Sequence, residues 1–199
     1  MSISTQSIYE VHEHQKVELL LHLLDRLPDF NKVMVFLRTR DGVHALTTAL
    51  SHAGVSVESF HGRKKPELRD RALKAFHEGK IRVIVTTEAA ARVIDLTGVC
   101  NVINYDFPEL DQDYLQRVEL AGRAGGEVIT VATPQSAPLL AKLEKLAGAE
   151  LPRKVADGFA YASQAMQVKP PRKKGGTSKG LHSKPLQNKK PKFKHKRGR

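Results

Sequence analysis

The sequence predicts an α/β fold: a mostly parallel sheet with helices on both faces, followed by a basic C-terminal arm. Three observations predict it. Short β-branched runs alternate with segments of helical period, about ten residues each, the pattern of βαβ units. Proline, glycine and aspartate punctuate the joins between them. After Leu151 the apolar patterning fades and lysine takes over.

Taken in order, Ile8–Val11 and Val33–Leu37 (VMVFL) read as strands, as do 55–60, 82–86 (RVIVT), 102–105 and 128–132. Between them, Lys16–Arg26 (KVELLLHLLDR) sets leucines on one wide face, with Pro28 beyond its end. Asp41 is expected to cap a helix over 42–53, with Gly54 just past its C-terminus. Pro66 suits the first turn of a helix over 67–78 that stops at Gly79. Helices over 111–118 and 138–147 complete the set. In open parallel sheets ligands bind at the carboxyl ends of strands. The loops after Leu37, Phe60, Thr86 and Tyr105 are therefore the places to seek function. The expected organisation is a domain over 1–150, a short helical extension within 151–168, and a disordered Lys/Arg-rich tail over 169–199.

Charge is distributed unevenly. The chain carries 33 Lys+Arg against 21 Asp+Glu, a net +12. Thirteen of the basic residues and none of the acidic ones lie between Gly158 and Arg199. Residues 1–157 thus hold 20 basic against 21 acidic side chains, and the whole excess sits in the tail. A basic arm on a neutral body points to a polyanionic partner. From Lys169 onward there is too little apolar surface to offset the entropy of ordering. The lysines of that stretch, Lys173, Lys174, Lys189, Lys190, Lys192, Lys194 and Lys196, with Arg197, are candidate RNA-binding residues acting through counterion release.

The single Cys100 excludes an intrachain disulfide and reads as a small buried hydrophobe in a reducing compartment. None of the nine histidines stands at zinc-like spacing from a second ligand, so no metal is expected. The N-terminus lacks a basic segment followed by an apolar one, and no apolar run approaches the roughly 18 residues of a membrane span. A cytoplasmic protein with no membrane partner is expected.

Four segments carry chemistry. Val35–Thr39 reads VFLRT at a strand end, and Phe60–Lys80 reads FHGRKKPELRDRALKAFHEGK. Val83–Leu96 is VIVTTEAAARVIDL, and Asn104–Gly125 is NYDFPELDQDYLQRVELAGRAG. In this order and at these spacings they resemble the motifs of the second, C-terminal RecA-like domain of DEAD-box RNA helicases, over roughly residues 6–147. The family patterns are V-F-V-N-T; L-H-G-D-x-x-Q-x-x-R; V-A-T-D-V-A-A-R-G-I-D; and, after N-Y-D-x-P, H-R-I-G-R-T-G-R.

The resemblance implies roles for the matching positions. Thr39, the Gly62 amide, the Arg69 guanidinium and the Thr87 hydroxyl would contact RNA phosphates, which is backbone rather than base readout. Asp95 would bind an ATP ribose hydroxyl, and Arg123 would approach the γ-phosphate. Arg69 also reads as a solvated helix charge beside Arg71 and Lys74, and Asp95 as a loop cap at Thr97 or Gly98. Departures cluster on the nucleotide side. Gln116, Glu119 and Leu120 stand for His, Gly and the middle arginine of the last motif, and Val93 stands for Gly. An arginine finger is worth about 10³–10⁵ in rate, and Leu120 offers neither charge nor donor. Elsewhere Arg38 replaces Asn, Arg63 replaces the acidic residue, Pro66 replaces Gln and Glu88 replaces Asp.

The 199 residues contain no G-x-x-x-x-G-K-[ST] cradle after a strand and no D-E-A-D run for Mg²⁺. The expectation is an RNA-binding, catalytically defective relative with no cofactor of its own. The alternative is the C-terminal half of an ATP-dependent helicase, using ATP and Mg²⁺ only when paired with a separate N-terminal RecA-like domain.

Overall fold

A computed structural model of the chain describes residues 5–26, 31–92, 94, 96 and 98–162. Seven strands form one sheet, β1 (Thr5–Glu10), β2 (Val33–Leu37), β3 (Val57–Phe60), β4 (Val83–Thr87), β5 (Asn101–Asn104), β6 (Glu127–Ala132) and β7 (Arg153–Lys154). Their order is β3-β4-β2-β5-β6-β1-β7, and every pairing is parallel. The central strands β2 and β4 are buried along their whole length. That is why VMVFL and VIVTT are nearly continuous apolar runs rather than alternating ones.

The helices are α1 (Lys16–Arg26), α2 (Arg40–His52), α3 (Pro66–His77), α4 (Glu88–Ala91), α5 (Asp111–Arg123) and α6 (Ala137–Ala147). On one side of the sheet, Leu19, Leu20, Leu23 and Leu24 of α1 join Val43, Leu46 and Leu50 of α2 against Val33, Val35, Val83 and Val85. A second cluster joins Phe36, Phe60, Phe76, Ile84 and Val102. A third seats Tyr114, Leu140 and Leu143 beside Ile8 and Ala132.

The six expected strands and the five expected helices of the body are present, the Lys16–Arg26 helix and the Val33–Leu37 strand with the bounds expected and the others with shifted ends. Asp41 is not the cap of α2. Thr39 holds that position, and its Oγ1 accepts from the Gly42 amide at 3.1 Å, so the helix starts two residues earlier than expected. The strand expected from Val55 begins at Val57. Helix α5 continues beyond Val118 to Arg123, because Leu120 and Ala121 extend its apolar stripe. Cys100 is half-buried rather than buried, with its thiol 3.4 Å from the Gly98 carbonyl.

Gly126 follows α5 where the chain passes close to the loop before β5. A Cβ there would stand 1.5 Å from the Cys100 carbonyl oxygen, so only glycine fits.

After α6, residues 151–162 form a strap. Strand β7 pairs with β1, and Leu151 and Ala156 enter the apolar interior. The Gln15 side chain donates to the Ala160 carbonyl at 2.9 Å and accepts from the Ala162 amide at 3.0 Å. Residues 158–162 turn, with the Phe159 amide donating to the Ala156 carbonyl and the Tyr161 amide to the Phe159 carbonyl, each at 3.2 Å, and the remainder of the expected extension and the tail lie outside the described residues.

Candidate nucleic-acid interface

The carboxyl ends of β2, β3, β4 and β5 open on a cleft of about 840 Å³. It gathers Thr39, Gly62, Arg69 and Thr87, four candidates drawn from three separate motifs. Thr39 accepts from Gly42 as the α2 cap, which leaves its hydroxyl proton free to donate into the cleft. Gly62 follows β3 and is exposed. A Cβ added there would meet no atom within 4 Å, so packing does not require this glycine. Arg69, on the first turns of α3, is half-buried with its guanidinium 5.9 Å from the centroid of the Phe60 ring. Burial of the stem aims the planar fork and lowers the entropy lost on binding an anion. Thr87 ends β4, is nearly buried, and makes no cap bond with its hydroxyl.

The cleft walls differ in charge. On the α2 and α3 side, Arg40, Arg63 and Arg69 have no carboxylate partner among the described residues. His61 sits behind them, with Nδ1 buried and unpaired. Its desolvation, then Lys64, Arg40, His44 and Arg63, hold its pKa below the ordinary histidine value. On the β5–α5 side the cations are all engaged. Arg92 meets Asp113 at 2.7 Å, Arg117 meets Glu88 at 2.5 Å, and Arg38 lies 3.9 Å from Glu109. Asp106 accepts from Lys16 and from the Arg38 amide. Asp41 is the carboxylate on the α2 and α3 wall, and the three arginines outnumber it, so a polyanion meets an excess of positive charge there.

The last motif is split between interior and surface. Arg117 is 4% exposed, with its guanidinium 4.1 Å from the Phe36 ring centroid. It donates twice to Glu88 Oε2 and once, at 2.7 Å, to Asn104 Oδ1. Burial pushes its pKa down, and Glu88 counters that. Arg117 thus ties α5 to the start of α4, directly beside Thr87. Leu120 is 9% exposed and packs among Phe36, Ala91 and Val102, so the residue that lacks a guanidinium serves the core. Arg123 is exposed, outside the cleft, and 2.7 Å from Glu119 on the same helix.

Asp95, Val93, Lys173, Lys174, Lys189, Lys190, Lys192, Lys194, Lys196 and Arg197 lie outside the described residues. Among the described residues no group of three or more His, Cys, Asp and Glu side chains could hold a metal ion, and no helix is long and apolar enough to cross a membrane. Sequence reasoning missed Arg40 as a cleft cation. Its place next to a strand-end threonine, at the carboxyl edge of the sheet, was the available signal.

The parallel topology, with these motifs gathered at its carboxyl edge, defines a RecA-like helicase domain. The family profile described as "Helicase conserved C-terminal domain" matches residues 15–125. The DEAD-box ATP-dependent RNA helicase CshA of Bacillus licheniformis is 36% identical over 172 residues, covering 84% of this chain and 35% of that protein. The chain therefore spans about a third of the length of such relatives. Escherichia coli SrmB, solved bound to regulator of ribonuclease activity A, superposes with a TM-score of 0.72 at 31% identity, covering 81% of this chain and 98% of that one. Saccharomyces cerevisiae Dbp5, solved bound to RNA and ADP BeF3, gives 0.70 at 29% identity, over 78% and 42%. The chain belongs to the helicase conserved C-terminal domain family, in the form carried by DEAD-box RNA helicases.

Proposed function

We propose that these 199 residues act as a cytoplasmic RNA-binding domain that grips the sugar–phosphate backbone without hydrolysing ATP on their own. The observation that carries this reading is the convergence of Thr39, Gly62, Arg69 and Thr87 on one cleft, along a wall whose arginines have no carboxylate partner among the described residues. The Arg69 fork takes two oxygens of one phosphate. The Thr39 and Thr87 hydroxyls and the Gly62 amide donate to neighbouring phosphates, which is backbone rather than base readout. The lysine-rich tail adds salt-sensitive, sequence-independent affinity.

For a nucleoside triphosphate the residues fit poorly. Leu120 is buried and offers no donor, and Arg123 is paired with Glu119, whose carboxylate repels a phosphate. No step of hydrolysis is derived from this chain.

The second reading, a helicase half completed by a separate N-terminal RecA-like domain, draws support from the 35% share of a full-length relative and from the retained Arg123. Two experiments discriminate. The purified chain is expected to bind oligouridylate and to show no RNA-stimulated ATP hydrolysis. Mixing with a cognate N-terminal domain should leave hydrolysis at background; robust turnover in the mixture selects the second reading. For the cleft itself, Arg69→Ala should weaken RNA binding and reduce the salt slope by about 1. Unchanged affinity in that variant would remove the cleft from the RNA-binding surface.

A further inference from the structure

Three of the departures from the family pattern fall inside the cleft; Glu88 for Asp keeps the charge, and the other two introduce arginine. Arg38 stands where the pattern has asparagine, and Arg63 where it has an acidic residue. Both line the cleft that holds Thr39, Gly62, Arg69 and Thr87. Arg63 directly follows Gly62, is exposed and has no carboxylate partner among the described residues. At that position an acidic side chain would repel a phosphate held by the Gly62 amide, whereas a guanidinium attracts it, so the local charge differs by two units. Arg38 is also at a junction, since it borders the cleft and the two smaller recesses beside it. Its contact to Glu109 is loose, 3.9 Å between side chains 54% and 70% exposed. An exposed pair of that kind is weak and yields to a phosphate.

We infer that Arg38 and Arg63 form an additional phosphate grip, holding the RNA backbone by two cationic contacts beyond those of the family pattern. The inference rests on the RNA-binding reading of the same cleft and names a consequence of it. A motor must release RNA in each nucleotide cycle. A domain whose nucleotide-facing arginine is buried leucine gains from a permanent grip and loses nothing by slow release. The same sequence changes therefore act in one direction. Donors disappear on α5, where a γ-phosphate would lie, and cations appear at the ends of β2 and β3, where a backbone would run.

The test uses the full chain and a short fluorescein-labelled oligouridylate, with affinity followed against salt concentration. Arg63→Asp and Arg38→Asn restore the family residues. Arg71→Asp is the control, since it makes the same charge change on the exposed side of α3 away from the cleft. Arg63→Asp and Arg38→Asn are each expected to weaken binding about three- to tenfold and to lower the log–log salt slope by about 1. Arg71→Asp should shift both by much less. Thermal unfolding checks that the variants fold, and Arg63→Ala replaces Arg63→Asp if that chain melts early. Equal effects of Arg63→Asp and Arg71→Asp would reduce the grip to net charge and overturn it. A loss with Arg69→Ala while the Arg38 and Arg63 variants stay silent overturns this inference and leaves the RNA-binding cleft standing. Silence of all three sinks both. Competition by polyglutamate as effective as by unlabelled oligouridylate would mark the site as one for acidic protein segments and overturn the assignment to RNA.

Discussion

At the scale of single residues, Leu120 and Arg117 show how one motif is divided between chemistry and packing. Leu120 packs among Phe36, Ala91 and Val102, so an arginine there must leave the core and drag its stem across that cluster. Leu120→Arg is expected to destabilise the chain by about 1–3 kcal/mol in denaturant unfolding. It should restore no ATP hydrolysis, because the residues that cradle phosphate and metal are still missing. Arg117 is the opposite case, a charge held inside by Glu88 and Asn104. Glu88→Ala strands that charge and should cost about 3 kcal/mol, the penalty of breaking a buried pair. His61 reports on the cleft. Burial and its cationic neighbours disfavour the imidazolium, so in the free chain it should titrate below the ordinary value near 6.5. A bound phosphate backbone opposes those cations and should move the titration upward. NMR of the ring protons with and without oligouridylate checks the sign. An unmoved or lowered value on saturation would place the RNA elsewhere.

At the scale of elements, the junction between α5 and β6 is the most constrained point. The chain leaves the helix through Gly125 at φ +67°, and Gly126 then passes against the Cys100 carbonyl. Gly126→Ala has no room, because the obstructing atom is backbone that cannot swing aside. Its melting temperature should fall by several degrees or more, consistent with the cost of overpacking. Gly125→Ala is strained by its positive φ alone, with no atom within 4 Å, and should cost about 1 kcal/mol. A larger loss at Gly125 than at Gly126 would contradict the packing account. Residues 151–162 matter for a related reason. Strand β7 closes the β1 edge, and the Gln15 amide holds the chain that follows it at both a donor and an acceptor.

At the scale of the whole molecule, charge and chemistry are divided between body and tail. Residues 1–157 are nearly neutral, and 13 positive charges follow. Removing residues 169–199 should lower RNA affinity by orders of magnitude and shrink the salt slope, since each neutralised phosphate contributes roughly 0.7–0.9 to it. What remains should depend on Arg69. A truncated chain that bound as tightly as the full one, with the same slope, would make the tail a passenger.

Much of this was legible from residues alone. Period, punctuation and motif order are local, and local patterns fix which segments become strands and helices. The strands VMVFL and VIVTT announce their burial by composition, and Thr39, Gly62 and Thr87 announce a shared strand-end location. Other features were not legible, because they depend on partners distant in sequence. Strand β7 is two basic residues with no apolar signature, and exists because β1 offers a free edge. Cys100 is half-exposed because its loop, not its side chain, sets its depth. The two arginines that bracket the last motif look alike in sequence. Helical rotation turns Arg117 inward, onto Glu88 and Asn104, and leaves Arg123 outside with Glu119. Sequence determined the family, the parallel sheet and the separation of a neutral body from a basic tail. Only the tertiary structure decided which charges are already paired, because a carboxylate neutralises a guanidinium by proximity in space, whatever their separation along the chain.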